Sequence, residues 1–431
     1  MTSPSNLQSG IERPVERETY YHGLLPREDV RNMLRNNGDF LIRMSEPKPG
    51  EARVNILSVM HNNQLDEQTA TKHFVINMGG GKCYIEKMSF DTIQAMISYY
   101  TQGRIPIRED IIIIHPIHRQ KWELDHQSIA IKKKLGEGAF GEVCMGEYRM
   151  KNGKTVQVAV KQAKLEKATK EQIKEFMSEA RVMREFLHPN VVRFYGVAAG
   201  QEPLYMVLEL ATNGSLDGYL KKNPDLPVAK LDEMILQAAW GLEYVHQQGV
   251  LHRDIAARNC LYGGGNVKIA DFGLSRKCTS YQMDPTKRVP IRWLAIETLR
   301  TQMYTQKTDV WSYGIMAWEI YNYGIEPYPG MTVAEVNQKV REGYRMDIPP
   351  SVSPAIASLL TNKCWAENPN DRLLMNEIAA SLQRITNIQK PNFATFAAEQ
   401  ATETAGPSKT TTKKGKKKGG KAPKGMRKGD E

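Results

Sequence analysis

At 431 residues, 41% hydrophobic and 25% charged, the chain has the composition of a soluble globular protein and room for two or three domains. No apolar run approaches the roughly 18–20 residues that span a bilayer; the densest, Ile111 to Ile114, ends at His115 and Pro116. Of the net charge of +11, +8 falls in residues 407–431, where ten Lys or Arg stand against Asp430 and Glu431, so nucleic acid is not an expected partner of the folded part.

The N-terminus has no apolar signal core, and Thr2 stands where myristoylation needs glycine. Five scattered cysteines without metal-ligand spacing read as reduced thiols, which places the chain in the cytoplasm.

Residues 1–19 are polar and read as a flexible leader. Residues 20–117 form a compact mixed pattern: a helix over 27–34 after Pro26, alternating strands over 39–44, 53–59 and 72–76, and an amphipathic helix over 90–100. Within the first strand, Phe40-Leu41-Ile42-Arg43-Met44-Ser45 sets an arginine among apolar residues. A buried guanidinium is costly without an anion, so Arg43 either reaches solvent or meets a ligand such as a phosphotyrosine dianion. Tyr20-Tyr21-His22-Gly23, Arg27, this strand and Lys72-His73-Phe74 together resemble a Src-homology-2 (SH2) domain. The resemblance implies a central antiparallel sheet flanked by two helices. It also implies a phosphotyrosine pocket of Arg43, Arg27, Ser45 and His73, hence phosphotyrosine-containing protein partners. The segment departs from the family at Tyr20, where Trp is usual, at Met44, where Glu is usual, and at Val75, where some members carry lysine.

Residues 118–127 read as a short connector without Gly/Ser flexibility, and 128–388 as a two-lobed α+β unit, strand-rich first and helix-rich later. Gly136-Glu137-Gly138-Ala139-Phe140-Gly141-Glu142-Val143 is a glycine pattern that lets a hairpin backbone approach phosphates, though a glycine-rich turn alone is often only a turn. Val158-Ala159-Val160-Lys161 ends an apolar run in a lysine that needs an anion: phosphates, Glu179 in the helical stretch 171–186, or solvent reached by snorkelling. After a helix ending near Gln248 comes His252-Arg253-Asp254-Ile255-Ala256-Ala257-Arg258-Asn259, then Asp271-Phe272-Gly273. Phosphoryl transfer to a hydroxyl needs a carboxylate to take the proton and oxygen ligands for Mg²⁺; Asp254 suits the first task, Asn259 and Asp271 the second.

Four motifs in this order resemble the protein-kinase fold over 128–388. Asp254-Ile255-Ala256-Ala257-Arg258-Asn259 and Val289-Pro290-Ile291-Arg292-Trp293 are similar to the tyrosine-specific branch. The resemblance implies ATP with Mg²⁺ (or Mn²⁺) as cofactor and protein tyrosines as substrates. It makes Asp254, Arg258, Lys161 and Glu179 catalytic. It lines the ATP site with Gly136, Glu137, Gly138, Ala139, Phe140, Gly141, Val143, Ala159, Lys161, Leu208 as gatekeeper, and Glu209 to Ala211 as hinge. Met183, Phe272 and His252 are expected to stack between the lobes, and Tyr281 to be an autophosphorylation site whose phosphate pairs with Arg253. Ala295-Ile296-Glu297 and Arg372-Leu373 each lack the family's usual proline, but Glu297 and Arg372, the expected ion pair, are present. The competing reading is an SH2 adaptor carrying a silent kinase fold.

An SH2 domain joined to a tyrosine kinase by a short linker, with Lys121-Trp122-Glu123-Leu124 before the kinase, resembles the Fes/Fer family. That suggests an SH2 domain packed on the small lobe, supporting Glu179 in reaching Lys161. Residues 389–431 read as a disordered Lys-rich tail: plainly solvated first, attached to an anionic membrane surface such as the inner face of the plasma membrane next, and engaged in nucleic-acid binding or nuclear targeting last, since it has no interleaved aromatics.

Overall fold

A computed structural model describes residues 14–48, 50–66, 68–138, 141–163, 168–284 and 289–404. The expected glycine-loop residues Ala139 and Phe140 and the Lys-rich run from 407 onward lie outside them. Among the described residues no helix is long and apolar enough to cross a membrane.

The first domain opens with helix α1 (Arg27–Met33), whose first turn carries Glu28 and Asp29, the charge sign the helix dipole favours there. Strands β1 (Asp39–Ser45), β2 (Val54–Met60) and β3 (Thr71–Val75) pair antiparallel, with Arg43 opposite Ile56 and Ser58 opposite His73. Three short strands, β4 (Asn77–Gly79), β5 (Lys82–Ile85) and β6 (Met88–Phe90), form a separate sheet that lacked a sequence signal. Helix α2 (Ile93–Gly103) is capped by Thr92, whose side chain accepts from the Ala95 amide, and buries Ile93, Met96, Ile97 and Tyr100 on one face. The main sheet is not wholly antiparallel: β7 (His115–Pro116) runs parallel to β1, because the chain leaving α2 lies along β1 on its way to the connector.

The second domain starts with a five-stranded antiparallel sheet of β8 (Ile129–Gly138), β9 (Gly141–Arg149), β10 (Thr155–Ala163), β11 (Phe194–Ala198) and β12 (Tyr205–Glu209), in the order β11-β12-β10-β9-β8. Helix α3 (Lys170–Met183) packs against it, with a capping box between Thr169 and Gln172 and with Ile173, Phe176, Met177, Ala180 and Met183 buried at helical spacing. A helical lobe follows, built around α4 (Leu216–Lys222), α5 (Val228–Gln247) and the helix Gln306–Tyr321, buried from Thr308 onward.

An apolar cluster crosses the domain boundary, beside a separate core inside the first domain. Leu24, Leu25, Val30 and Leu41 of the first join Ile173, Phe176 and Met177 of α3 in a continuous cluster. The Leu24 amide donates to the Ala199 carbonyl at 2.8 Å. Gly23 makes that approach possible: at φ +60 it sits where a Cβ would stand 2.2 Å from the same oxygen. The connector is stitched to both sides. His22 Nδ1 lies 2.8 and 3.0 Å from the Glu123 carboxylate, and Leu124 and Trp122 exchange backbone hydrogen bonds with Val197.

Both ends differ from the sequence reading. Residues 15–17 of the expected leader form a 3-10 turn with Val15 buried, because Val15 joins the first domain's core. Residues 393–404 of the expected tail form a helix, because Phe393 has aromatic partners: its ring packs edge-on against His188 at 4.3 Å and Trp240 at 6.0 Å.

Candidate functional site

Strand β10 presents Lys161 beneath the β8–β9 hairpin, where Gly136 pairs with Val143 and Gly138 with Gly141. Among the described residues a Cβ at Gly136 would meet nothing within 4 Å, so their packing does not require this glycine. Lys161 Nζ lies 2.9 and 2.7 Å from the two carboxylate oxygens of Glu179 on α3, and both residues are buried. Burial pushes the Glu179 carboxyl above its ordinary value, Lys161 opposes this, and the charge of Asp271 adds to it. Ala159 faces Leu208 across the β10–β12 pair, and Glu209 closes β12 with its carboxylate 3.0 Å from Lys268; Ala211 follows at the crossing to the helical lobe.

In the helical lobe, Arg258 Nη2 donates to Asp254 Oδ1 at 2.5 Å, and its guanidinium stands 4.1 Å over the Trp293 ring. Asn259 donates its side-chain amide to the Asp254 carbonyl at 2.8 Å, which turns its own amide oxygen to acceptor duty elsewhere. Asp271 has a left-handed backbone (φ +57) and an exposed carboxylate. Among the described residues no cluster of three or more His, Cys, Asp or Glu could hold a metal ion by itself. Two hard oxygen donors completed by phosphate oxygens and water fit an octahedral divalent cation of the Mg²⁺ type.

Several residues unassigned in the sequence reading hold this arrangement. Asp309 accepts the backbone amides of His252 and Arg253 at 2.8 and 2.9 Å, and bonds to His246 Nε2 and Tyr304 Oη. Burial would raise its carboxyl, but these hydrogen bonds and the charges nearby hold it below its ordinary value. Glu319 accepts from the Ala257 amide and Trp293 Nε1, and burial lifts it to about 7. Phe272 packs between His252 (4.8 Å) and Phe186 (4.9 Å), so the stack includes Phe186 as well as the expected residues; Met183 lies in the same buried cluster. Arg372 and Glu297 form the expected pair through two 2.7 Å bonds despite the missing prolines.

Tyr281 pairs with Tyr304 in a short antiparallel ladder, and the Arg253 guanidinium lies 3.7 Å over its ring, with Arg276 at 5.9 Å. Arg253 itself has a left-handed backbone (φ +71).

In the first domain Arg43 is 2% exposed. Its guanidinium meets only neutral acceptors in the described residues, Ser58 Oγ at 3.3 Å and the Leu25 carbonyl at 3.3 Å. Burial lowers Arg43 to about 10, with Arg27 adding to the effect. His73 Nδ1 lies 2.9 Å from the same Ser58 hydroxyl, and burial followed by Arg43, Arg27 and Arg31 holds it near 3. Arg27 and Ser45 line the cleft in front of Arg43, whereas His73 joins through Ser58. Ser58, a lone hydroxyl in the apolar strand Val54–Met60, was the available signal for this network.

Residues 20–100 match the SH2 domain family, and residues 129–382 match the family described as protein tyrosine and serine/threonine kinase. The chain is 39% identical to Fer-related kinase 1 of Caenorhabditis elegans, over 90% of this chain and 98% of that one. It is 35% identical to the human tyrosine-protein kinase Fer over 88% of this chain but 45% of Fer, and 34% identical to the transforming protein Fps of avian sarcoma virus over 86% of this chain and 68% of that one. The chain thus spans less than half the length of the vertebrate relatives it matches.

Proposed function

This chain belongs to the Fer/Fps family of SH2-containing protein-tyrosine kinases, and on that footing we propose how its residues divide the work. ATP supplies the γ-phosphoryl group, and a divalent cation, Mg²⁺ in this reading, neutralises its charge. Lys161, held by Glu179, binds the phosphates under the hairpin of Gly136, Gly138, Gly141 and Val143. Ala159 and Leu208 bound the adenine, whose edge meets the backbone of Glu209 to Ala211. Asn259 and Asp271 offer oxygens to the cation. Asp254 orients the substrate phenol and accepts its proton, and Arg258, braced on Trp293, fixes the Asp254 carboxylate and lies beside the phenol. Phosphate added to Tyr281 exchanges the ring stack on Arg253 for an ion pair and orders its segment.

The SH2 domain recruits the enzyme to phosphotyrosine proteins through Arg43, Arg27, Ser45 and His73, and holds α3 in its active position. One observation carries this second part. The helix that supplies Glu179 to Lys161 also supplies Arg181 to Asp29 of the SH2 domain, and these two helix residues are neighbours but one.

The test of the catalytic assignment is phosphate incorporation into a tyrosine-containing copolymer with Mg²⁺-ATP, wild type against Asp254→Asn. A loss of about 10²–10⁴-fold is expected for removal of the proton acceptor. Equal, background-level incorporation from both, with phosphopeptide binding intact, would make the chain an adaptor.

A further inference from the structure

A cleft of about 170 Å³ opens in front of Arg43, and only one of its walls belongs to the SH2 domain. Arg27, Arg43 and Ser45 line that wall. The first turns of kinase helix α3 line the other, with Lys170, Glu171 and Lys174. Lys170 and Lys174 are four residues apart and so share a helix face. Lys174 Nζ bonds Glu28 at 2.8 Å, and Glu28 follows Arg27 directly in the SH2 domain. Arg53 also borders the cleft, but Glu202 takes its charge at 2.5 Å.

The charge of this cleft is unbalanced where it is deepest. Arg43 is a buried cation facing neutral oxygens, and Arg27 repels it. Glu28 offsets Arg43 and is shared with Lys174, and Glu46 and Glu171 also line the cleft. The positive end of the α3 dipole points the same way, since α3 begins at Lys170. A dianion entering beside Arg43 would therefore meet cations from both domains.

We propose that the phosphotyrosine site is composite, with Lys170 and Lys174 of the kinase domain contributing to capture of the phosphorylated peptide. The inference rests on Arg43 as the phosphate ligand and adds a second wall to that site. Its consequence is reciprocal. A ligand held by both domains favours the docked arrangement that carries Glu179 to Lys161, and the docked arrangement raises ligand affinity by the same factor.

The experiment measures binding of a fluorescein-labelled peptide library, random around a fixed phosphotyrosine, to the full chain. The proteins are wild type, Lys170→Gln/Lys174→Gln, Lys170→Arg/Lys174→Arg and Arg43→Lys, each checked for an unchanged melting curve. The glutamine pair should weaken binding by about three- to tenfold and flatten its salt dependence, the scale expected for two partly exposed charges. The arginine pair should restore both. Equal affinity of the glutamine pair and the wild type overturns the composite site while leaving Arg43 in place. Absence of wild-type binding, or its persistence in Arg43→Lys, refutes the phosphotyrosine pocket itself. Displacement by inorganic phosphate as effective as that by O-phosphotyrosine overturns the assignment in favour of a free-anion site.

Discussion

Asp29 and Arg181, 152 positions apart in sequence, face each other across the domain boundary through two hydrogen bonds of 3.0 and 2.8 Å. Asp29 is 1% exposed, and Arg184 approaches it at 3.6 Å while stacking on Trp122 of the connector. The carboxylate is thus the point at which SH2 domain, connector and α3 converge. Breaking a buried pair leaves an uncompensated charge, so Arg181→Ala should lower stability by on the order of 3 kcal/mol. A chemical denaturation curve of the full chain measures this; an unchanged midpoint would mean that Arg184 alone satisfies Asp29.

Lys161→Met should reduce phosphate transfer by about 10²–10³-fold, the scale of one lost donor to developing charge, and it strands Glu179 without its cation. Adding Glu179→Gln should recover melting temperature but not activity. Recovery of both would show that Lys161 acts through stability alone.

The Arg253 stack on Tyr281 bears on activation. Incubation with ATP should phosphorylate Tyr281 and raise subsequent activity, and Arg253→Ala should abolish that rise. Phosphosite mapping alongside rate measurement checks it; a fully active enzyme with Tyr281 bare contradicts the assignment.

Stability should depend on pH through two histidines, His188, which is buried, and His73, which is half-buried. His73 is held near 3 by burial and then Arg43, Arg27 and Arg31, and His188 near 3 by burial and then Lys390 and Lys268. Unfolded, each titrates at about 6.5, so between pH 6.5 and 3 the unfolded chain binds more protons. Their neutral forms cost nothing above about pH 6.5, and stability falls as pH drops below it, by on the order of 1–2 kcal/mol per histidine at pH 5. Denaturation midpoints at pH 7 and pH 5 measure the loss. In His188→Asn the drop should shrink, and an undiminished drop would mean that His188 does not contribute to it.

The candidate nucleotide site could be read from the sequence because its chemistry is local: glycine spacing, a lysine ending an apolar strand, and Asp254, Asn259 and Asp271 close along the chain each carry a physical reason in their own few residues. The fold class followed from the same motifs. What stayed hidden depends on pairs distant in sequence. Nothing near Asp29 announces Arg181, and nothing near Lys170 or Lys174 announces a cleft built from another domain. Asp309 was visible as a residue but not as the acceptor of two catalytic-loop amides, since that role exists only once helix 306–321 packs beneath the loop. The helix at 393–404 had a signal in Phe393, Phe396 and the intervening small residues, which the basic run beyond it outweighed.

Whether SH2 docking holds α3 in its active position is measured most directly by the rate of phosphate transfer of Asp29→Asn against wild type, with and without saturating phosphotyrosine peptide. The variant's rate should be at least fivefold lower and its response to peptide weaker, with ATP binding retained. A variant as fast as wild type, or faster, would contradict that role of docking.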